Sequence, residues 1–402
     1  MLIKNTFFLF LLQGVNYIIP IFLIPFFSNT LGFKGYGNIA LCLSIIQFSY
    51  IVTDFGFMTY ATKEIVSFNR DKYLISKFVS SVYYIKAVIL FILIIPIVFY
   101  CSVKGYSFST TFFVFLTIIA QAYQPIWFFH GLEKMKSVTF YFSTTKLLYL
   151  FLVISCVDQN KSWTLVIIFW CFSQLLACLI SNFQYIYAGY FFCRVSVFDI
   201  ISIFKKSVHF FLSRISVACY TSLNLIILGF VSLDGSSLAS FAICDQIFKA
   251  GQSFTSPITQ ALYPYLQRTK NWKVFIRATI SSLFILTTAL VFFHYNYGII
   301  FNYIFHNSPQ DINKILDLFL ILIIINFLAR NLGNPIFGPL NKMKIANNTV
   351  IFGGVFHLIV ISFLYVSNIL DVYSMVYCLL ATESMILFIR ILFLLKIKLT
   401  LK

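Results

Sequence analysis

Charge is scarce in this chain. Only 10% of its 402 residues are Asp, Glu, Lys or Arg, and 60% are apolar. An ordinary soluble domain carries about 25% charged residues. A chain this apolar cannot cover itself with polar side chains, so a soluble enzyme is excluded and lipid must be part of its solvent. Catalytic signatures are missing as well: there is no Gly-rich P-loop, no GxSxG and no HExxH. No catalytic residue is assigned, and no energy-coupling ATPase lies in the chain. The nine cysteines form no CxxC and no metal-ligand spacing. Most sit inside apolar runs (Cys42, Cys171, Cys178, Cys219, Cys378) and read as small buried hydrophobes, so no metal and no cofactor is implied. The apolar runs show no period-2 alternation, which excludes a β-barrel.

What is present is a series of long apolar stretches, rich in Phe (50) and Tyr (24). A spanning helix needs about 20 mostly apolar residues. Twelve stretches qualify: 6–28, 36–57, 78–103, 108–130, 139–157, 163–187, 207–232, 238–262, 274–297, 313–338, 347–367 and 372–395. The first is too long for a signal-peptide core and runs on into Leu31-Gly32-Phe33-Lys34-Gly35-Tyr36-Gly37 rather than a small-residue cleavage site. It reads as an uncleaved span.

The net charge is +17. In a soluble protein this would suggest nucleic acid, but here the basic residues are spread over many short loops, and no nucleic-acid partner is expected. With the N-terminus placed in the cytoplasm, nineteen of the 29 basic residues fall in cytoplasmic segments and four (Lys34, Lys104, Lys161, Lys314) in external ones. That asymmetry predicts both termini inside.

The chain echoes itself at half its length. Leu132-Glu133-Lys134-Met135-Lys136 follows span 4, and Leu340-Asn341-Lys342-Met343-Lys344 follows span 10. Ala40-Leu41-Cys42 in span 2 is matched by Ala242-Ile243-Cys244 in span 8. The register is six plus six. The expected fold is an all-α polytopic membrane protein with about 12 transmembrane helices. They form two six-helix lobes related by pseudo-two-fold symmetry around a central cavity. The lobes are placed at 1–190 and 207–402, with a cytoplasmic linker at 191–206.

Ionisable groups inside spans are functional candidates, because each costs at least about 2.5–3.5 kcal/mol to insert. The deep cations are Lys86, Arg214, Lys249 and Arg330; the deep acids are Asp245 and Glu383, with Asp54 near the inner end of span 2. Lys146 and Arg390 are placed close enough to the inner face to snorkel. Asp245, Lys249, Gln252, Ser256 and Gln260 form one stripe of span 8, and Asn326, Arg330 and Asn334 one stripe of span 10. Arg214, Thr221 and Asn224 share a face of span 7, Gln13 and Asn16 a face of span 1, and Gln47 and Asp54 a face of span 2. Spans 1, 2, 7, 8 and 10 are therefore expected to line a wet cavity. Spans 5 (Lys146 apart), 9 and 11 are expected to face lipid. Lys86, Arg214 and Arg330 each lie about eight residues, or roughly 12 Å, from the inner surface. Cations clustered there favour an anion arriving from the cytoplasm, with arginine suited to phosphate. Structural readings stand beside these: Lys249 can neutralise Asp245, Arg214 can anchor its helix, Lys86 can snorkel, and Asp54 can cap a helix or pair with Lys63. Gly353-Gly354 reads as close helix packing.

Several motifs resemble a known family. Gln13-Gly14-Val15-Asn16-Tyr17-Ile18-Ile19-Pro20, Asp54-Phe55-Gly56-Phe57 with Ala61-Thr62-Lys63-Glu64, and Gln260-Ala261-Leu262-Tyr263-Pro264 are three of them. The most specific is Pro125-Ile126-Trp127-Phe128-Phe129-His130-Gly131-Leu132-Glu133-Lys134-Met135-Lys136. Together they resemble O-antigen flippases of the polysaccharide-biosynthesis branch of the multidrug/oligosaccharidyl-lipid/polysaccharide exporter superfamily. The resemblance covers the whole chain and is sharpest in its first 140 residues.

The resemblance implies a flippase of the bacterial inner membrane. It would move an undecaprenyl-pyrophosphate-linked oligosaccharide from the cytoplasmic to the periplasmic leaflet by alternating access. Substrate-binding candidates are Arg214, Lys249, Arg330, Lys86, Gln13 and Asn16; ion-coupling candidates are Asp245 and Asp54. Implied partners are the lipid-linked oligosaccharide, membrane lipids, and the polysaccharide polymerase and chain-length regulator. The first span has no deep charge, which departs from the related peptidoglycan-precursor flippases. The competing readings are a cation-coupled multidrug antiporter of the same superfamily, which would want an acidic cavity, and a membrane glycosyltransferase or polymerase, which would want a large external loop or a carboxylate dyad.

Overall fold

The structure is a computed structural model of the full chain. It describes the backbone except at residues 1, 160, 232–233, 306–311 and 401–402, and side chains except at those positions and at 2–13, 15–17, 254–261, 263–264 and 397–400. Two compact units divide the chain, Met1–Ile215 and Ser216–Lys402.

The first unit holds α1 (Leu2–Asp54), α2 (Phe57–Ser67), α3 (Lys72–Val103), α4 (Phe108–Ala122), α5 (Ile126–Gly131), α6 (Met135–Cys156), α7 (Thr164–Tyr187) and most of α8 (Val197–Thr221). The second holds the end of α8, then α9 (Asn224–Val231), α10 (Gly235–Thr269), α11 (Trp272–Ile304), α12 (Ile312–Asn331), α13 (Asn334–Phe337), α14 (Met343–Val366) and α15 (Val372–Thr400). Among the described residues, nine helices are long and apolar enough to cross a membrane, or ten if the bent pair α8–α9 (47°) is one span. Within α1 the backbone breaks at Gly32 (φ 71°), which separates the first two expected spans. The 35-residue α10 is the least apolar of the long helices and supplies the span that carries Asp245 and Lys249. With α1 divided at Gly32 and α10 included, the described helices cover the twelve stretches expected from hydropathy.

The unit boundary falls inside α8. Residues 197–206, expected as linker, are already helical. They belong to the first unit because aromatic packing ties them there. The ring of Phe55 stacks on Phe211 at 4.4 Å and on Phe204 at 4.8 Å. Gly56 makes this approach possible: it has φ 77°, and a Cβ on it would lie 2.7 Å from the Phe211 amide nitrogen. A core of Trp127, Phe128, Phe129, Tyr141 and Tyr185 lies beneath, joining α5, α6 and α7.

The sequence echo is also a backbone echo. After α5, Glu133 adopts φ 56°; after α13, Asn341 adopts φ 54°. The Lys134 amide donates to the Phe129 carbonyl at 2.9 Å, and the Lys342 amide to the Phe337 carbonyl at 2.8 Å. Phe128 donates to Pro125 and Ile336 to Gly333, both at 3.1 Å. The fourth span of each unit therefore breaks before a short helix and then turns through the same left-handed residue into the next span.

α11 leaves most of its apolar length uncovered by the chain, including Ile280, Phe284, Phe292 and Ile299, as expected for span 9. Span 11 is a correction. Its helix, α14, exposes Phe352, Val355, Ile359 and Phe363, but its other side buries Thr349, Gly353, Gly354 and His357. Small and polar residues at helical spacing mark a packed face as well as a wet one. Gly354 is the closest approach of this helix to another backbone: an added Cβ would sit 2.6 Å from the Ser216 carbonyl oxygen, whereas one on Gly298 would meet nothing within 4 Å. Gly354→Ala should destabilise the protein by about 1–3 kcal/mol. Gly298→Ala, in an open helical position, should stabilise it by about 0.5–1 kcal/mol. Thermal unfolding of the detergent-solubilised variants checks both.

Candidate functional site

Lipid offers no hydrogen bonds to a backbone, so each break in a span must find partners within the protein. In the first unit, α4 ends at Ala122 and α5 begins at Ile126. Lys86, on α3 and 1% exposed, donates from Nζ to the Ala122 carbonyl at 2.6 Å. The Tyr123 carbonyl accepts from Tyr83 Oη at 3.0 Å and from Asn182 Nδ2 at 2.9 Å. Gln124 Nε2 donates to the backbone and side-chain oxygens of Gln174, each at 3.2 Å. Lys86 does not snorkel. It caps the negative end of a broken helix, where a cation is favoured.

The second break in this unit separates α1 from α2 at Phe55 and Gly56, both with positive φ. Asp54 ends α1, is 1% exposed, and accepts from the Met58 amide at 3.3 Å. Its partner is Arg214 Nη1 on α8, a charge-assisted hydrogen bond within the first unit, and not Lys63. The Arg214 side chain remains 33% exposed.

The second unit places its charges differently. Asp245 and Lys249 pair at 2.6 Å along α10, with side chains 16% and 39% exposed. One turn on, Gln252 Nε2 donates to Asn326 Oδ1 at 3.0 Å, and Asn326 Nδ2 donates to Glu383 Oε1 at 2.8 Å. This chain crosses from α10 through α12 to α15, and Asn326 and Glu383 are buried. Arg330, one turn beyond Asn326, is half-buried. Arg390 is a second correction: it does not snorkel but is 6% exposed. Its Nε donates to Thr349 Oγ1 at 3.0 Å, Nη1 to the Ala329 carbonyl, and Nη2 to the Ala346 carbonyl at 3.3 Å. Arg390 thus serves the α12–α13 break as Lys86 serves α4–α5, but from a different helix. Lys146 also finds a partner, with Nζ 5.9 Å from the Trp170 ring centroid.

A buried cluster escaped the sequence reading. His357 is 0% exposed; Nε2 lies 2.8 Å from Asn224 Oδ1 and Nδ1 lies 2.9 Å from Thr382 Oγ1. It ties α9, α14 and α15 together. The only signal was His357 standing one turn from Gly353 on a helix with no other charged residue in its middle. The side chains of Gln13, Asn16, Ser256 and Gln260 lie outside the described residues. Asn334, expected on the span 10 stripe, begins the separate α13 and is exposed. Among the described residues no group of His, Cys, Asp and Glu could hold a metal ion.

Two partly exposed cations, each held by its own carboxylate on a framework of broken helices, define a multi-pass helical membrane protein with polar chemistry inside its spans. A family profile described as "Polysaccharide biosynthesis protein" matches residues 2–270. The chain belongs to that family, and the resemblance read from its motifs holds. A relative named "Putative O-antigen transporter" in Escherichia coli (strain K12) is 25% identical over 273 residues, 66% of this chain and 65% of the relative. One of the same name in Shigella dysenteriae is 27% identical over 277 residues, 67% of this chain and 68% of the relative. The matched region thus spans about two thirds of these relatives. Among solved structures, "Lipid II flippase MurJ, inward closed conformation" superposes with TM-score 0.73 at 13% identity, covering 98% of this chain and 87% of that one. An inward-facing multidrug resistance MATE family transporter of the MOP superfamily gives TM-score 0.67 at 12% identity, covering 95% and 93%. These likenesses establish the fold.

Lys86→Met should orphan the Ala122 carbonyl and lower stability by about 1–3 kcal/mol. Asp54→Asn or Arg214→Gln alone should destabilise by less than the about 3–5 kcal/mol of a fully buried pair, because Arg214 is one-third exposed, and the double variant should recover part of the loss. Melting temperatures of the purified single and double variants test this, and additivity would refute the pairing.

Proposed function

We propose that the protein is a flippase that carries a lipid-linked oligosaccharide, joined through pyrophosphate to a polyprenol such as undecaprenol, from the cytoplasmic to the periplasmic leaflet. The bacterial inner membrane is its location. Both termini face the cytoplasm, as the nineteen-to-four distribution of basic residues favours. The observation that carries the reading is the state of Arg214 and Lys249: 33% and 39% exposed, each neutralised by one carboxylate, in a family of polysaccharide biosynthesis proteins.

A pyrophosphate brings strong acceptor oxygens in a geometry that arginine matches with two donors. Among the described residues Arg214 spends only Nη1 on Asp54, so its remaining N–H groups are available to an incoming anion. As phosphate takes over Arg214 or Lys249, Asp54 or Asp245 loses its counter-charge. The released carboxylate is then the group available to a coupling cation. Substrate binding and ion uptake would thus share one exchange of partners. Arg330 stands near the same stripe of α10 and α12 as a further cation. Lys86, consumed by the Ala122 carbonyl, acts on the substrate only through the helix it holds. Gln13 and Asn16 stay as candidates on span 1, and the polymerase and chain-length regulator as candidate partners.

Cells lacking the protein should lose surface polysaccharide and accumulate lipid-linked repeat units facing the cytoplasm. Undiminished surface polymer on the deletion strain would sink the reading. Arg214→Glu should abolish complementation, whereas Arg214→Lys should retain a reduced level, since one ammonium replaces a bidentate fork. A fluorescent protein fused at the C-terminus should fluoresce and an alkaline phosphatase fused there should be inactive; the reverse would overturn the orientation.

A further inference from the structure

Lys86, Asp54 and Arg390 hold the broken helices together. A charged cluster at the start of α12 takes no part in that work. At the starts of α12 and α15, away from the end of α15 that carries Lys396, an open groove of about 570 Å³ is lined by Lys314, Asp317 and Leu318 from α12 and by Tyr373 and Tyr377 from α15. His294 of α11 joins it, with Nδ1 2.8 Å from Asp317 Oδ1. The contact is open to its surroundings, His294 at 45% and Asp317 at 42% exposure. Tyr377 is 58% exposed.

Asp317 and Tyr377 each lie within two turns of the start of their helix, about 8 Å along the axis. That depth is interfacial, where water and head groups reach the site. Two tyrosines near a helix end are by themselves an ordinary aromatic belt, and an exposed polar contact adds little to stability. Their arrangement is what calls for a ligand. Tyr373 and Tyr377 are four residues apart and share one face of α15; Lys314 and Asp317 are three apart and share one face of α12. Aromatic faces on one wall of a concavity, with a carboxylate and an ammonium on the other, match the two kinds of surface of a sugar ring. The apolar C–H face packs on the aromatic rings, and the hydroxyls bond to the charged groups. Asp317 disfavours a phosphate and Lys314 a cation, which leaves a neutral, hydroxyl-rich ligand as the best fit.

We propose that this groove is a saccharide-binding site, which holds the sugar portion of the cargo on the side away from the basic loops. The proposal rests on the flippase reading for its ligand, and its test is independent of transport. The full chain is reconstituted in lipid nanodiscs. Oligosaccharide repeat unit released from the host's own surface polymer is titrated in, and binding is followed by saturation-transfer NMR. Transfer from aromatic protons to sugar C–H protons is expected. Tyr377→Ser and Asp317→Asn should each weaken binding up to about tenfold, and Tyr377→Phe should not. Both changed positions are well exposed, so the variants should keep the wild-type melting temperature. Absence of sugar binding by the wild type, equal binding by all variants, or displacement of the sugar by inorganic pyrophosphate would overturn the proposal. If deletion abolishes surface polymer while Tyr377→Ser binds the sugar normally, the groove falls and the flippase stands. If deletion leaves the polymer intact, the flippase reading falls whatever the NMR shows.

Discussion

A backbone group released inside lipid has nowhere to go but to another part of the same protein, and the rest of this structure follows from that constraint. The spans are interrupted at Phe55–Gly56, between Ala122 and Ile126, and between Asn331 and Asn334. Each interruption frees carbonyls or amides that would cost several kcal/mol unsatisfied. Asp54 takes the Met58 amide at the first, Lys86 with Tyr83 and Asn182 takes the carbonyls of the second, and Arg390 takes the Ala329 carbonyl at the third. The expense of burying a lysine or an arginine is offset by the helix ends they cap. Charges that look like a binding site in the sequence are in part the fittings of broken helices.

This sorts the cations by what they can still do. Lys86 and Arg390 are buried and committed to carbonyls. Arg214 and Lys249 are committed to carboxylates and partly open. An ion pair that an anion can reach is a different device from a free cation: it can exchange one partner for another without leaving a bare charge in lipid. In the proposed carrier, such exchange would be a reason to place acid and base together. It also explains why simple counting of deep charge overstates how electropositive the interior is.

The two units show how a duplicated scaffold diverges. The turn after the fourth span is preserved down to its left-handed residue, Glu133 in one unit and Asn341 in the other, and to the amide bonds that close it. The cation that serves the neighbouring break is not preserved. It comes from α3 in the first unit and from α15 in the second, as lysine and as arginine. The backbone need is common to both units, and different side chains meet it.

Much of the fold is legible in the sequence, because a membrane span is announced by composition alone: length, hydropathy and the placement of lysines gave twelve crossings, and the Leu-x-Lys-Met-Lys echo gave their six-plus-six register. Helical spacing also found Asp245 with Lys249 and put Gln252 and Asn326 on polar faces. Spacing describes one helix at a time, however, and partners on different helices are invisible to it. That Asp54 meets Arg214 across 160 residues, that Arg390 turns inward to Thr349, and that His357 bridges Asn224 and Thr382 were decided only when the helices packed. The sequence determined which segments enter the membrane, since transfer to lipid depends on each segment's own side chains. The tertiary structure decided which polar groups remain open to a ligand, since that depends on which carbonyls and carboxylates lie within hydrogen-bonding reach.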